Sequence, residues 1–299
     1  MSETPDLFVF GLGYSAGHYA RTRAHAHGRV WASVRSREKR DRLRAQGFGA
    51  FALEDEADAQ PLRDALARCA RVLVSTPPVA TAAGEAGDPT LAAFGEALRQ
   101  APALARIVYL STVGVYGDHG GAWIDESAQP RPSNQRSLWR LAAEADWLAL
   151  GGARGAPAHV LRLAGIYGPG QNALVNLKAG TAKRIVKPGQ VFNRIHVEDI
   201  ARAIDAAFLV EGPGAAWNVS DDEPAPPQDV VAYAAQLLGV APPPEIAFET
   251  AQLSPMARSF YGECKRVSNR AMKERLGVRL AYPTYREALH ALLEAGEGR

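Results

Sequence analysis

The chain has 299 residues, 47% hydrophobic and 22% charged, a composition typical of a globular protein. Its formal net charge of +2 is too small to indicate a nucleic-acid partner, and no apolar run approaches the ~20 residues that span a membrane, so neither partner is expected. Residues 1–6 do not resemble a signal peptide, and two cysteines form no disulfide framework, so we expect a cytoplasmic protein.

Short apolar and β-branched segments alternate with helical patterns through the first half of the chain. Strands are predicted at 7–10, 29–34, 50–53, 71–75, 106–110 and 159–163. Helices are predicted between them at 14–26, 37–46, 60–67, 89–100 and 137–150. Such alternation implies right-handed βαβ crossovers and a covered parallel sheet. We therefore predict an α/β fold, a doubly wound parallel sheet of the Rossmann type.

The texture changes after about residue 166, where Pro and Gly become frequent. Helices are predicted at 198–208 and 228–238, and Ser268 is predicted to cap a helix that ends near Leu276. We predict a nucleotide-binding Rossmann domain over residues 1–165. Residues 166–299 are predicted to form a smaller C-terminal substrate lobe, interleaved with the last elements of the sheet.

A glycine-rich turn joins the first predicted strand to the first helix. The first glycine permits the tight turn, the second lets the backbone approach a pyrophosphate, and a small third residue lets helix and strand pack closely. The helix N-terminus then offers N–H groups and a partial positive charge to phosphates. The alternative is a tight turn on a fold without a ligand. The residues predicted to bind the cofactor here are Gly11, Leu12, Gly13, Tyr14, Ser15 and Ala16.

The end of the second strand favours NADP, with NAD as the alternative. No carboxylate precedes Glu38 to hold a ribose hydroxyl, whereas Arg35 and Ser36 suit a 2′-phosphate. The alternative is that residues 35–40 are only a solvated helix start. The loop after the fourth strand is predicted to pass beneath the adenine and ribose, or simply to end the strand. That loop contains Ser75, Thr76 and Pro77.

Three further segments carry a family resemblance. They are VYLSTVGVYG at 108–117, LRLAGIYGPG at 161–170 and RIHVEDIA at 194–201. Their order and spacing resemble those of extended short-chain dehydrogenases, the NAD-dependent epimerase/dehydratase group. The resemblance implies a Rossmann domain for the cofactor, a C-terminal lobe for the substrate, and a site beyond the carboxyl ends of the strands.

The resemblance also indicates catalytic positions, and there the chain departs from the family. Thr112 matches the Ser or Thr that hydrogen-bonds the reacting oxygen. The family's Tyr-x-x-x-Lys pair falls on Arg136 and Arg140, aligned by the following Glu144. Because arginine stays protonated, Arg136 cannot be a general base, but it could hold an anionic group or stabilise an oxyanion. Arg140 could replace the lysine as a donor to the ribose.

Other residues are candidates for proton transfer or substrate binding. A literal Tyr-x-x-x-Lys occurs at 261–265, long after the helix that must carry the pair, so a surface or substrate-lobe segment is the favoured interpretation. Tyr116 and Tyr167 are candidate proton donors, although both rings belong to motifs where tyrosine commonly packs. His196 is a candidate for substrate binding, with a structural role as the alternative. Lys265 and Arg266 could face an anionic substrate.

We expect no metal site at His18, His25 and His27, because residues two apart on a helix point to different faces and no acidic cluster accompanies these histidines. The expected function is an NADP-binding oxidoreductase or epimerase for a small, anionic or sugar-like molecule. The alternatives are an NADP(H)-binding redox sensor without turnover and a sugar-nucleotide binder. Relatives often dimerise through the helix at 136–150, so a homodimer is possible. Its Trp139, Leu141 and Trp147 could serve that face or the sheet.

Overall fold

The computed structural model describes residues 4–80 and 86–298. Residues 1–3, which belong to the N-terminal segment without the pattern of a signal peptide, lie outside the described residues. The strands are β1 (Leu7–Phe10), β2 (Val30–Val34), β3 (Gly49–Ala52), β4 (Arg71–Val74), β5 (Val79–Ala80), β6 (Ala86–Gly87), β7 (Arg106–Thr112), β8 (Trp123–Ile124), β9 (Ala158–Leu163), β10 (Gly165–Tyr167), β11 (Arg184–Val186), β12 (Arg194–His196), β13 (Ala216–Val219), β14 (Glu245–Ala247) and β15 (Arg266–Val267).

The helices follow the same chain order. They are α1 (Tyr14–Arg23), α2 (Arg37–Ala45), α3 (Glu56–Arg68), α4 (Pro89–Gln100), α5 (Gln135–Arg154), α6 (Ala173–Lys178), α7 (Val197–Leu209), α8 (Pro227–Leu238), α9 (Pro255–Phe260), α10 (Arg270–Glu274) and α11 (Tyr285–Glu294). Among the residues described, no helix combines the length and the apolar character needed to cross a bilayer.

Within the described chain, seven strands form a parallel central sheet in the order β13-β9-β7-β4-β1-β2-β3. Strand β1 pairs with β2 on one side and with β4 on the other. The chain therefore runs outward from β1 in one direction and then returns to build the other half of the sheet. The predicted doubly wound Rossmann sheet is confirmed. In such sheets ligands bind beyond the carboxyl ends of the strands at this reversal point.

The central strands are buried on both faces, as strands of a covered parallel sheet should be. All four residues of β1 are at most 1% exposed. Phe8 and Phe10 lie with ring centroids 4.7 Å apart in a hydrophobic cluster that also includes Tyr109 and Trp147. This burial holds the end of β1 rigidly where the glycine-rich turn begins.

The described residues form two compact units whose segments alternate along the chain. The first lies within Met1–Thr112, Asn134–Arg162 and Ala203–Trp217. The second lies within Val113–Ser133, Leu163–Arg202 and Asn218–Arg299. The second unit has its own core, in which Tyr167, Leu174 and Tyr285 pack together.

Helix boundaries differ from the predicted ones where side chains cap the ends. Helix α5 begins two residues before the predicted 137, because the side chain of Asn134 accepts a hydrogen bond from the Ser137 N–H. It ends at Arg154, and the next residue, Gly155, caps it in the left-handed conformation with a φ of +71°. Ser268 lies one residue before Asn269, the observed cap of the short helix α10.

Candidate functional site

The glycine-rich turn after β1 has the conformation and spacing that its glycines require. Gly11 has a φ of +79°, and a Cβ there would lie 2.9 Å from Cγ2 of Thr76. Gly13 is the N-cap of α1, and a Cβ there would meet nothing within 4 Å. The first glycine therefore serves the turn itself, while the second leaves open space above the backbone, as close approach of a phosphate demands.

The start of α1 divides the predicted cofactor residues into two roles. Ala16 is fully buried, and Ser15 is nearly so, which suits the close packing of helix against sheet. Tyr14 is exposed at the first helical position. The N–H groups of Leu12 and Gly13 donate to no acceptor in the part of the chain that the structure describes. These amides can therefore bind an anion.

A cavity of about 640 Å³ opens above this turn, at the reversal point of the sheet. Eight of the predicted cofactor residues line it, whereas Tyr14, Ser15, Ala16 and Arg140 do not. The eight are Gly11, Leu12, Gly13, Arg35, Ser36, Ser75, Thr76 and Pro77. The predicted residues therefore coincide with the cavity, except for the helix residues behind the turn and the arginine on α5.

Several lining residues were not predicted, and Lys39 is the most informative of them. Its ammonium donates a 2.7 Å hydrogen bond to the carbonyl oxygen of Leu12 inside the glycine-rich turn. No sequence signal singled out Lys39, because it lies among several cations at the start of α2, and Arg35 precedes that helix. Leu53, Val79 and Phe94 add apolar surface to the cavity. Thr90, on α4, shares a 2.6 Å hydroxyl contact with Thr76.

Most of the other basic side chains near the start of α2 are paired with carboxylates. Arg37 donates to Asp55 through Nε at 3.0 Å, and Arg40 donates to the same residue through Nη1 at 2.6 Å. The bond from Arg40 holds the pKa of the Asp55 carboxyl below its usual value. Arg35 and Arg37 are both exposed, so the interpretation of residues 35–40 as a solvated helix start stays open beside the cofactor interpretation. At the cavity, the cations are Arg35 and Lys39.

Helix α5 carries Arg136 and Arg140, the two arginines that the sequence resemblance aligns with the family's tyrosine and lysine. Arg136 is exposed in its first turn. Arg140 is half-buried, and its Nη1 donates to the Tyr109 hydroxyl and the Leu110 carbonyl oxygen, each at 3.0 Å. Arg140 therefore attaches α5 to the end of β7. Trp147 on the same helix is fully buried and donates to Asp88, so it belongs to the core and not to an exposed dimer face.

The end of β7 is held by a buried ionic network. Ser111 donates to the carboxylate of Glu144, and Arg162 donates to that carboxylate through Nε at 3.1 Å and Nη2 at 2.7 Å. All three side chains are buried. Thr112 follows Ser111 as the last residue of β7 and is half-buried. The predicted oxygen-binding threonine thus stands on a rigid support.

The two candidate tyrosines lie in packed surroundings. Tyr116 is fully buried, and its hydroxyl donates to Asn218 Oδ1 at 2.8 Å. The Tyr167 hydroxyl is buried without a hydrogen-bond partner among the described residues. Burial, with Asp221 and Asp199 nearby, raises the pKa of Tyr167 well above its ordinary value. The positive charge of Arg194 lowers the pKa of Tyr167, but this effect is smaller than the effect of burial.

The predicted substrate residues of the second unit make structural contacts. Lys265 is buried and donates to the Gly117 carbonyl at 2.7 Å and to Glu263 at 2.6 Å. Arg266 donates to the carbonyl of Gly121. Both therefore hold the loop that follows Tyr116. Their role in binding a substrate stays a prediction.

His196 and the literal Tyr-x-x-x-Lys are also packed. His196 Nδ1 accepts from the Glu198 N–H at 3.2 Å, and its ring lies 4.3 Å from that of Tyr282. Tyr261 stacks on Phe248, with centroids 5.1 Å apart, in a small apolar cluster.

The described residues contain no group of three or more His, Cys, Asp or Glu side chains able to hold a metal ion.

The sequence matches known proteins along most of its length. The profile of the NAD-dependent epimerase/dehydratase family matches residues 90–220. The protein YeeZ of Escherichia coli strain K12 is 29% identical over 245 residues, which cover 79% of this chain and 84% of YeeZ.

Solved structures extend the likeness to the fold. A conserved protein of unknown function from Silicibacter pomeroyi DSS is 45% identical, with a TM-score of 0.88 over 98% of this chain and 100% of that one. The UDP-glucose 4-epimerase of Thermus thermophilus, solved with NAD, is 21% identical, with a TM-score of 0.70 over 97% of this chain and 98% of that one. At 21% identity the epimerase likeness concerns the fold alone.

Proposed function

We propose that the chain is an NADP-dependent oxidoreductase or epimerase of the NAD-dependent epimerase/dehydratase type, whose family profile matches residues 90–220, and that it acts on a small anionic or sugar-like molecule. The observation that carries the cofactor choice is the composition of the cavity above the glycine-rich turn. Among the described residues, no carboxylate lines it, while Arg35, Ser36 and Lys39 do.

This lining favours NADP for an electrostatic reason. A carboxylate at the end of the second strand accepts from the ribose hydroxyls of NAD and would repel a 2′-phosphate. The two cations at this cavity attract that phosphate, and the guanidinium of Arg35 suits it geometrically. The Ser36 side chain caps α2 by accepting a hydrogen bond from the Lys39 N–H. The N-terminus of α2 therefore lies beside Arg35 and would also favour a 2′-phosphate.

The proposed chemistry uses Thr112, at the end of β7, and Arg136, in the first turn of α5. A bound NADP supplies the hydride donor or acceptor. We assign to the Thr112 hydroxyl the hydrogen bond to the reacting oxygen, and to the exposed Arg136 the attraction of an anionic group or the stabilisation of negative charge. The related epimerase from Thermus thermophilus is named for UDP-glucose, which makes sugar nucleotides the first substrates to test.

Thermal unfolding with each cofactor tests the NADP assignment. A ligand at one hundred times its Kd stabilises the folded state by about 2.7 kcal/mol, whereas a tenfold weaker one at equal concentration contributes about 1.4 kcal/mol. NADPH should therefore raise the melting temperature more than NADH does. Arg35→Leu should reduce the difference between the melting-temperature increases that the two nucleotides cause. Equal shifts for the two nucleotides in the unchanged protein would refute the preference for NADP.

Thr112 can be tested separately from cofactor binding. Thr112→Val should abolish turnover of any substrate found and leave NADPH binding nearly intact, because the hydroxyl is assigned to the substrate oxygen. Thr112→Ser, which keeps the hydroxyl, is the matched control and should retain activity. Full activity in Thr112→Val would remove this residue from the mechanism.

A second candidate function is an NADP(H)-binding redox sensor without turnover. It is favoured by the engagement of two groups that could otherwise take part in chemistry: Nη1 of Arg140 bonds the end of β7, and the Tyr116 hydroxyl bonds Asn218. Crystals grown with NADPH discriminate between the candidates. If no proton-donating side chain or ordered water reaches the space beside the nicotinamide, the sensor is favoured; if one does, the enzyme is favoured.

A homodimer through α5 remains part of the proposal. Leu138 is 47% exposed on this helix, and Trp139 and Leu141 are half-buried. Light scattering of the unchanged protein and of Leu138→Glu tests it. A dimer that the substitution dissociates supports this interface, and a monomeric unchanged protein rules it out.

A further inference from the structure

Lys39 connects helix α2 to the glycine-rich turn. Its ammonium donates 2.7 Å to the carbonyl oxygen of Leu12, and its half-buried side chain lines the cavity. In the described part of the chain no carboxylate pairs with this ammonium. Burial, followed by the charges of Arg42 and Arg35, lowers the pKa of Lys39 from its ordinary value. The Leu12 carbonyl is thus its protein partner.

The hydrogen bond from Lys39 to the Leu12 carbonyl also affects the Gly13 N–H, which belongs to the same peptide group. In a trans peptide the carbonyl of one residue and the N–H of the next lie in one plane and point in opposite directions. The described chain contains no cis peptide. A Leu12 carbonyl held by Lys39 therefore fixes the direction of the Gly13 N–H. That N–H has no acceptor among the described residues.

The turn needs such an anchor because of its composition. Leu12 is flanked by Gly11 and Gly13, and glycine rotates its backbone with little steric penalty. Without an anchor, the Leu12–Gly13 peptide group can reorient and its N–H can leave the direction that a phosphate requires. An anchored turn binds a pyrophosphate without the cost of ordering that peptide on binding.

We propose that Lys39 is a positioning residue for the cofactor: by holding the Leu12 carbonyl it orients the Gly13 N–H toward the pyrophosphate, and it thereby links the turn to the end of the cavity that carries Arg35. The inference rests on the proposed function for the identity of the ligand class. It assigns to Lys39 a contribution to the binding of the pyrophosphate that does not depend on a 2′-phosphate.

The consequence is a loss of affinity shared by both nicotinamide nucleotides. Lys39→Met keeps an unbranched apolar side chain but removes the ammonium. We expect it to weaken NADH about tenfold, the equivalent of one charge-assisted hydrogen bond. NADPH should be weakened by at least as much. A residue that only attracted a 2′-phosphate would leave NADH unaffected.

Isothermal titration of the full chain with NADH and NADPH measures both affinities. Arg42→Met is the matched control: it removes a positive charge from the same helix at an exposed position outside the cavity lining. It should leave the NADH affinity within about twofold, since a single exposed charge contributes little at a distance. Lys39→Arg, which keeps charged N–H donors on a long side chain, should recover most of the NADH affinity.

Three results would overturn the inference: Lys39→Met weakens NADPH alone, it weakens neither nucleotide, or Arg42→Met weakens NADH as much as Lys39→Met does. Circular dichroism of the unliganded variants checks that each is folded, and Lys39→Arg provides the answer if Lys39→Met is not. Equal affinity of the unchanged protein for NADH and NADPH would refute the NADP preference and leave the positioning inference standing. Binding of neither nucleotide would refute both.

Discussion

Removal of Glu144 should destabilise the protein strongly, because it leaves a buried arginine without its charge partner. The Glu144 and Arg162 side chains are only 3% and 9% exposed, and Nη2 lies 2.7 Å from Oε2. The same carboxylate accepts the hydroxyl of Ser111. Glu144→Leu therefore removes the acceptor of two buried donors at once and replaces it with an apolar side chain of similar size.

The expected magnitude follows from the burial of the pair. Breaking a buried ion pair by removing one partner costs about 3–5 kcal/mol, because the remaining charge stays desolvated. Replacing both partners by apolar residues is often neutral or stabilising. Glu144→Leu should therefore lower the free energy of unfolding by about 4 kcal/mol. The double variant Glu144→Leu/Arg162→Met should recover much of that loss.

Urea unfolding of the unchanged protein, both single variants and the double variant completes the cycle. Trp147 is fully buried on the same helix as Glu144, so tryptophan fluorescence and circular dichroism report the transition together. The coupling between the two sites should be about 2 kcal/mol or more. Additive single effects, or a cost below about 1 kcal/mol for Glu144→Leu, would refute the argument that this pair holds α5 against β7.

Two other predictions concern stability. Burial lowers the pKa of His27 to about 4, against 6.5 in the unfolded chain, so unfolding takes up a proton between these values. Neutral His27 contributes fully to stability above pH 6.5, and this contribution falls by up to about 3 kcal/mol as the pH drops to 4. Urea unfolding at several pH values should show that the free energy of unfolding depends less steeply on pH in His27→Gln. An unchanged slope of unfolding free energy against pH would contradict the assignment. Gly117 has a φ of +68°, and a Cβ there would lie 1.8 Å from the carbonyl oxygen of Arg131. At Gly47 φ is +87° and a Cβ would meet nothing within 4 Å, so Gly47→Ala should lower the free energy of unfolding by only about 1–2 kcal/mol. Gly117→Ala should lower it by more, and equal losses in the two variants would refute the role of the close contact.

The sheet and the glycine-rich turn could be predicted because their signals are local. Apolar segments of four to seven residues, separated by helical patterns, define the parallel strands, and the two glycines of the turn have positions that follow from covalent geometry. The cavity lining includes Gly11 and Gly13, and also Arg35, which follows β2 directly. No long-range information was needed for any of these residues.

The roles of charged side chains could not be predicted in the same way, because each depends on a partner distant in sequence. Arg40 lies within a run of cations, yet its guanidinium pairs with Asp55, fifteen residues later. Lys39, its neighbour, turns instead to the Leu12 carbonyl, twenty-seven residues earlier. One residue of difference on a helix changes the face by about 100° and with it the whole function of the cation.

The contacts that attach α5 to β7 do not depend on Arg136, the residue that the sequence resemblance aligns with the family's tyrosine. Arg140 and Glu144 are four residues apart on α5 and therefore lie on one face of the helix. They bond to consecutive residues of β7, the Leu110 carbonyl and the Ser111 hydroxyl, so α5 is attached next to Thr112. Arg136, one turn earlier, is exposed and is not part of this attachment. The residue at position 136 is therefore independent of the contacts that hold the end of β7, so an arginine there is compatible with altered catalysis as well as with its loss.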